Sequence, residues 1–321
     1  MVRSDLVLKL IHIHFDSNRS GATRDKDFSV VVRSIAAGES QAGHPVLAKR
    51  MLDALDAGLA KQQAGMITVP ANYSELVESV AATRTKADWV VCPAIEKGLE
   101  RVCKEWTNRE RLAEKGVLPS HKLLFYGEPG TGKTMTCSVL ANCLGLPLFR
   151  VREGVIEGVL GKSQTNLMKV FDMINSMAGV YLFDEFDSIG MGRSTKQQEH
   201  SELRRTLNAF LQFLERTNGD SVVVCATNMA ESLDKALFRR FDQLWHFPLP
   251  GVQERHRLIR LLTGCELDDT LAELTEGFSQ SEVTRLVQQG VRESLIEGRT
   301  LDNDLLVEML DLLNKPMNGI P

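Results

Sequence analysis

Two glycine-lysine-hydroxyl tripeptides occur in this chain, Gly132-Lys133-Thr134 within YGEPGTGKTM and Gly161-Lys162-Ser163 within GVIEGVLGKSQTN. Either type could close a phosphate-binding loop, in which glycines let the backbone wrap around phosphate while lysine supplies charge and a hydroxyl ligates magnesium. Register separates them. Gly127 completes the GxxxxGK[ST] spacing for the first, whereas Ile156 occupies that place before the second. The first also follows the apolar run KLLFY and precedes the helix-compatible MTCSVLANCLG, the context that lets a helix N-terminus face an anion. Gly127, Glu128, Pro129, Gly130, Thr131, Gly132, Lys133, Thr134 and Met135 are therefore the candidate nucleotide loop. Lys133 is expected to reach the β- and γ-phosphates and Thr134 to ligate Mg²⁺.

Acids and an amide stand at the ends of two further apolar runs. VYLFDEFD carries Asp184 and Glu185. There an aspartate can hold the Mg²⁺ shell through a water, and a glutamate can orient and deprotonate an attacking water. The alternative is an acidic cluster that starts a surface helix. SVVVCATN ends in Asn228, which either positions that water or forms a turn. ALFRRFD contributes Arg239 and Arg240. They are candidates for stabilising γ-phosphate charge, or for surface ion pairs worth less than about 1 kcal/mol.

The elements that must position these groups are short. KLLFY, LPLFRV, GVYLFD, SVVVCAT and LWHFP are apolar runs bounded by polar, Gly or Pro signals. Such runs suit doubly buried strands of a parallel sheet, and the helical stretches between them imply an α/β fold with five parallel strands. Before them, Val46, Leu47, Met51, Leu52, Leu55 and Leu59 fall at helical spacing, and KQQAGMITVPANYS reads as a linker. After Pro250 the strands stop. Val283, Leu286, Val287, Val291 and Leu295 then suggest one apolar helix face.

At 321 residues, 43% hydrophobic and 25% charged, the composition is that of an ordinary globular protein with room for two or three domains. The net charge of −4 provides no general attraction to nucleic acid, and neither a basic arm nor a zinc-finger pattern is evident. Six scattered cysteines without a CxxC pair suggest reduced thiols and a cytoplasmic location. The run LVLKLIHIHF is interrupted by Lys9, His12 and His14, so neither a signal peptide nor a membrane span is expected; the two histidines are assigned no role.

In this order and spacing, GEPGTGKT, VYLFDEFD, ATN, ALFRRFD and GFSQSEVTRL resemble the AAA+ ATPases, most closely the AAA subgroup of protein remodellers. The resemblance implies a helical N-terminal recruitment domain and linker (1–75), an α/β ATPase core (76–250) and a helical lid (251–321). ATP and Mg²⁺ would lie between core and lid, and six copies would form a ring. It makes Asp184 and Glu185 the Walker B pair, Asn228 sensor 1, and Arg239 with Arg240 fingers reaching a neighbour's site. The usual Pro-Gly-type insert between the two arginines is absent. GFSQSEV replaces the family's Gly-Ala with Gln280-Ser281, so an arginine sensor is not evident there; Arg285 lies further along.

The second tripeptide also finds a place in that resemblance. By that resemblance Val159, Leu160 and Gly161 correspond to the pore loop that grips polypeptide, with valine where many members carry an aromatic residue; the alternative is an ordinary loop between strand and helix. Three functions follow: a remodeller of a protein substrate, an ATP-gated oligomeric switch acting on an effector without threading, and a nucleic-acid-dependent ATPase. The layout is also similar to bacterial AAA ATPases encoded beside a subtilisin-like serine protease in plasmid-maintenance and antiphage defence pairs.

Overall fold

The chain divides into two compact units, residues 1–65 and 66–321. The structure, a computed structural model, describes residues 31–38, 49, 52, 69–155, 163–186, 197–229, 235–265 and 269–314. In the first unit, residues 31–38 form helix α1, with Val32, Ile35 and Ala36 buried at i, i+3 and i+4. The apolar stripe expected from Val46 to Leu59 lies, apart from Leu52, outside the described residues.

The second unit is built on β1 (Val77–Val80), β2 (Lys122–Gly127), β3 (Leu148–Val151), β4 (Val180–Phe183), β5 (Val222–Thr227) and β6 (Gln243–Phe247). Their order across the sheet is β1-β3-β4-β5-β2-β6, parallel from β3 to β6, with β1 antiparallel to β3. The sheet is thus one strand wider than the five apolar runs predict. β1 reads VESV and sits at the edge, where Glu78 can remain in solvent within 3.6 Å of both Arg150 and Arg152. An edge strand with polar residues lacks the continuous apolar signature of its neighbours.

Ten helices of this unit are described: α2 (Pro93–Thr107), α3 (Arg109–Ala113), α4 (Lys133–Leu144), α5 (Ser163–Ser176), α6 (Gln197–Glu215), α7 (Lys235–Phe238), α8 (Val252–Thr263), α9 (Thr270–Leu274), α10 (Gln280–Glu297) and α11 (Asn303–Asn314). None of them is long and apolar enough to cross a membrane.

Strand alternation divides each apolar run between two cores. Leu124, Tyr181, Phe183, Val223 and Cys225 face one side, where Val170 and Phe171 of α5 and Phe210 of α6 cover them. Leu123, Phe125, Leu182, Val224 and Ala226 face the other, beneath Leu99 of α2 and Leu140 of α4. Because both faces are covered, β4 and β5 are buried along their whole length.

Helices α8 to α11 enclose a third core from Leu258, Leu271, Val283, Leu286, Val287, Leu306 and Leu310. Leu295, expected on the same face of α10, is instead 80% exposed. Residues four apart drift about 40° per step at roughly 100° per residue, so three such steps from Val283 turn a side chain well away from the seam.

Phe210 joins the sheet to the acidic end of β4. Its ring lies 5.5 Å from Phe171, 5.2 Å from Phe183 and 4.9 Å from Phe186. Phe210→Ala should cost about 3–5 kcal/mol, read as a lower denaturant midpoint. A change below about 1 kcal/mol would mean that this cluster does not hold α6 to the sheet.

Candidate functional site

In an open parallel sheet the polar turns that follow the strands collect at one edge, outside the strand carboxyl ends. Here β4, β5 and β2 are neighbours, and their following residues Asp184-Glu185, Asn228 and the Gly127–Thr134 loop meet there. They share a cavity of about 690 Å³ with the amino end of α10 and with α8.

The loop turns tightly after β2. Gly127 has φ 140°, and a Cβ there would stand 2.1 Å from the Phe247 carbonyl oxygen of the neighbouring strand. Gly130 has φ 73°, and its Cβ would meet Ser279 and Ser281 at 2.9–3.0 Å. Both conformations favour glycine, and both sites exclude a side chain.

Lys133 is only 7% exposed, yet its ammonium is satisfied. It donates to the carbonyls of Gly127 at 2.8 Å and Glu128 at 2.7 Å. The charge is thereby held inside the loop's own curve, where a phosphate oxygen could replace a carbonyl as acceptor.

The first turn of α4 is fixed from behind. Trp89 Nε1 donates to Thr136 Oγ1 at 3.0 Å, and Thr136 Oγ1 donates to the Gly132 carbonyl at 2.8 Å. Thr131, nearly fully buried, closes the loop by donating to the Glu128 carbonyl at 2.7 Å.

Across the cavity, Thr134 Oγ1 donates to Asp184 Oδ2 at 3.0 Å. A hydroxyl and a carboxylate in contact form a hard oxygen donor pair suited to Mg²⁺. Glu185 follows with φ 51°, the one positive φ of a non-glycine residue among those described. Its N–H donates to Asp184 Oδ1 at 3.1 Å, and the next N–H, that of Phe186, donates to the Ala226 carbonyl of β5 at 2.8 Å. The strained turn is therefore tied on both sides, and strain that persists under such restraint is a feature of functional sites.

The cavity gathers Pro129 to Met135, Asp184, Glu185 and Asn228; Gly127 and Glu128 stand behind it as acceptors for Lys133. Asn228 is exposed within it. Arg239 and Arg240 do not line it. Arg240 pairs with Glu215 at the end of α6, whereas Arg239 is exposed, with no hydrogen bond or ion pair among the described residues. Val159, Leu160 and Gly161 lie outside the described residues.

Sequence reasoning overlooked half of the wall. Trp89 and Val90 line one side with Leu258, Leu261 and Leu262 of α8, giving an apolar end to a cavity whose other end carries the lysine. That polarity fits a nucleoside triphosphate, base on the aliphatic side and phosphates on the loop. Ser281, Thr284, Arg285 and Gln288 also face in from α10. They fall at i, i+3, i+4 and i+7, opposite the buried Val283-Leu286-Val287 seam, so helical periodicity could have indicated them. The capping box of α10 aims that face. Ser279 Oγ accepts from the Glu282 N–H at 3.3 Å, and Glu282 Oε2 accepts from the Ser279 N–H at 2.7 Å. This backbone hydrogen bond, with that from the Ser279 hydroxyl, holds the Glu282 carboxyl below its usual value. The Ser281 N–H then donates to the Gly130 carbonyl at 3.1 Å, joining α10 directly to the loop.

Comparison with known proteins places this geometry in context. A family model described as "ATPase family associated with various cellular activities (AAA)" matches residues 123–249. The chain is 31% identical over 310 residues to an uncharacterized AAA family ATPase of Sinorhizobium fredii, covering 93% of this chain and 91% of that protein. It is 33% identical over 247 residues to ATPase family AAA domain-containing protein 3 of Xenopus tropicalis, covering 66% of this chain and 41% of that one. It is also 28% identical over 249 residues to proteasome-activating nucleotidase 2 of Haloferax volcanii, covering 72% and 59%.

Removing the ammonium isolates its contribution. Lys133→Ala should weaken binding of Mg-ATP by about 10- to 100-fold, the loss of charge-assisted hydrogen bonds, measured by calorimetric titration. Unchanged affinity would take the phosphates away from this loop.

Proposed function

Because the chain belongs to the AAA family of ATPases, we propose that it hydrolyses ATP in the cavity between the sheet and α8–α10, and uses the cycle to remodel or deliver a protein substrate. The observation that carries the ATPase reading is the meeting of Lys133, Thr134, Asp184 and Glu185 at one sheet edge. In this reading the Gly127–Gly132 backbone and the α4 N-terminus cradle the phosphates, with Lys133 turning from its carbonyls to their oxygens. Thr134 and Asp184 would hold Mg²⁺, which would supply charge neutralisation at the phosphates. Glu185 takes the proton of the attacking water, and Asn228 holds that water in line. Trp89, Val90 and the α8 leucines cover the base.

Positive charge on the γ-phosphate beyond that of Lys133 and Arg285 would come, in this reading, from a neighbouring subunit. Arg239 and Arg240 stand away from the cavity, which favours a ring, six-membered by family likeness, in which one subunit's arginine completes the next subunit's site. Arg240 is already engaged by Glu215, so Arg239 is the finger in this reading. The ATPase activity is then expected to rise with protein concentration.

The likeness to proteasome-activating nucleotidase 2, a protein named for acting with a protease, supports delivery of a polypeptide to a separate protease. The finer assignment, a subtilisin-like serine protease in a defence or plasmid-maintenance pair, rests on the motif resemblance alone. Residues 1–75 would recruit the partner. A second reading, an ATP-gated switch without threading, is favoured by Val159 standing where remodellers carry an aromatic gripping residue: an aliphatic contact buries less area.

Two variants test the assignment. Glu185→Gln should bind ATP with parental affinity and release no phosphate above background. Arg239→Ala should lower turnover by about 10³-fold or more at unchanged nucleotide affinity, and Arg240→Ala by much less. Equal loss in both arginine variants, or full activity in a dilute monomer, would contradict the finger assignment.

A further inference from the structure

A smaller cavity of about 190 Å³ lies against the nucleotide cavity. Arg84, Thr134 and Met135 line both, so the start of α4 is a partition between them. Part of its wall is apolar, from Val80 of β1, Leu148 of β3 and Leu182 of β4, which belong to the core beneath α2 and α4. Two arginines, Arg84 and Arg150, complete the lining, and among the described residues that line it there is no carboxylate.

Arg150 is a cation on a sheet face made otherwise of aliphatic residues. It follows Leu148 at the next position on that face of β3, and its parallel partner is Leu182. Its counter-ion is Glu78, the cross-strand residue of β1, at 3.6 Å, but Glu78 lies equally far from Arg152. One carboxylate thus serves two guanidiniums, and neither contact is short enough to be a hydrogen bond. The Arg150 Nε is buried and has no hydrogen-bond partner among the described residues. A desolvated N–H on a cation is costly without an acceptor, and an oxyanion is the acceptor it binds most strongly.

The opposite wall is fixed in advance. The Arg84 N–H donates to Ser138 Oγ at 3.3 Å, and Asn142 Nδ2 donates to the Ala82 carbonyl at 3.4 Å. The segment leaving β1 is therefore tied along α4, which lowers the ordering cost of binding. The Arg84 side chain is exposed and makes no hydrogen bond among the described residues. Ser138, nearly fully buried, lines the cavity with a hydroxyl proton that has no acceptor among those residues.

We propose that this cavity is an oxyanion site that takes orthophosphate between Arg84 and Arg150, beside the nucleotide cavity and able to receive the γ-phosphate after cleavage. With about 30 Å³ for each water in the liquid, the space suits one tetrahedral oxyanion and a little water. It is far smaller than the 690 Å³ of the nucleotide cavity, which excludes a second nucleotide. The planar forks of two guanidiniums match phosphate oxygens in geometry as well as charge. Only the source of the phosphate rests on the ATPase reading; the site does not.

Calorimetric titration of the full chain with inorganic phosphate, in chloride buffer without nucleotide, reads the site. Because Lys133 offers phosphate a competing place, the Lys133→Ala chain is the reference, and it should still bind one phosphate. Adding Arg150→Met, at a residue that lines only the smaller cavity, should weaken that binding by about 10- to 100-fold, the loss of a charge-assisted hydrogen bond. Arg84→Met in the same background should do likewise, and it decides the matter if the Arg150 variant fails to fold. No binding to the Lys133→Ala chain, or unchanged affinity in a folded arginine variant, would overturn the site. Single turnover of Mg-ATP with Lys133 intact identifies the source: phosphate appearing in solution should lag behind acid-quenched cleavage, and the lag should vanish in the arginine variants. Phosphate binding with no lag would overturn the receiving role and leave a site filled from solution. Absence of cleavage would refute the ATPase reading, while the titration still decides the site.

Discussion

A buried ammonium must find acceptors, and at this sheet edge Lys133 finds them in the carbonyls of Gly127 and Glu128. Leaving such a charge unpaired at 7% exposure would cost several kcal/mol, so the loop has to curl until its own backbone meets the lysine. Glycines at positive φ permit the curl, and the contact of Gly127 with Phe247 sets how closely the loop sits against β6. The same curvature that satisfies the lysine without a ligand forms the concavity a phosphate would enter. Burial of the charge and readiness for an anion are one constraint.

The surrounding structure keeps that loop from relaxing. Trp89 and Thr136 pin the first turn of α4, Ser281 ties α10 to Gly130, and Asp184 meets Thr134 from the end of β4, two strands away from β2. Each restraint comes from a different element, and the doubly buried β4 and β5 fix the level at which the acids emerge. Movement of α10 would therefore be felt at Gly130 through one backbone hydrogen bond. That is a short mechanical path from the cavity to the C-terminal helices.

The legible parts of the sequence were those in which one physical demand fixes residue type. Continuous apolar runs marked β2 to β6 because both faces of a parallel sheet are covered, and the loop spacing showed because its backbone conformations favour glycine. β1 escaped because VESV at an edge needs to bury only part of its surface. Trp89, Val90 and the α8 leucines escaped because an apolar residue facing a cavity has the same letter as one facing a core. Arg285 could be read only by turning α10 about its axis, since its neighbours Val283, Leu286 and Val287 dominate the pattern. The pairing of Arg240 with Glu215 joins residues from distant elements, and no spacing rule reaches it.

In the proposed cycle Lys133 exchanges backbone carbonyls for phosphate. A crystal structure with Mg²⁺ and a non-hydrolysable ATP analogue tests it most directly. The Lys133 ammonium is expected to leave the Gly127 and Glu128 carbonyls for the β- and γ-phosphate oxygens, with Thr134 and Asp184 turned to Mg²⁺. A structure in which the analogue is bound elsewhere, while Lys133 still holds both carbonyls, would contradict it.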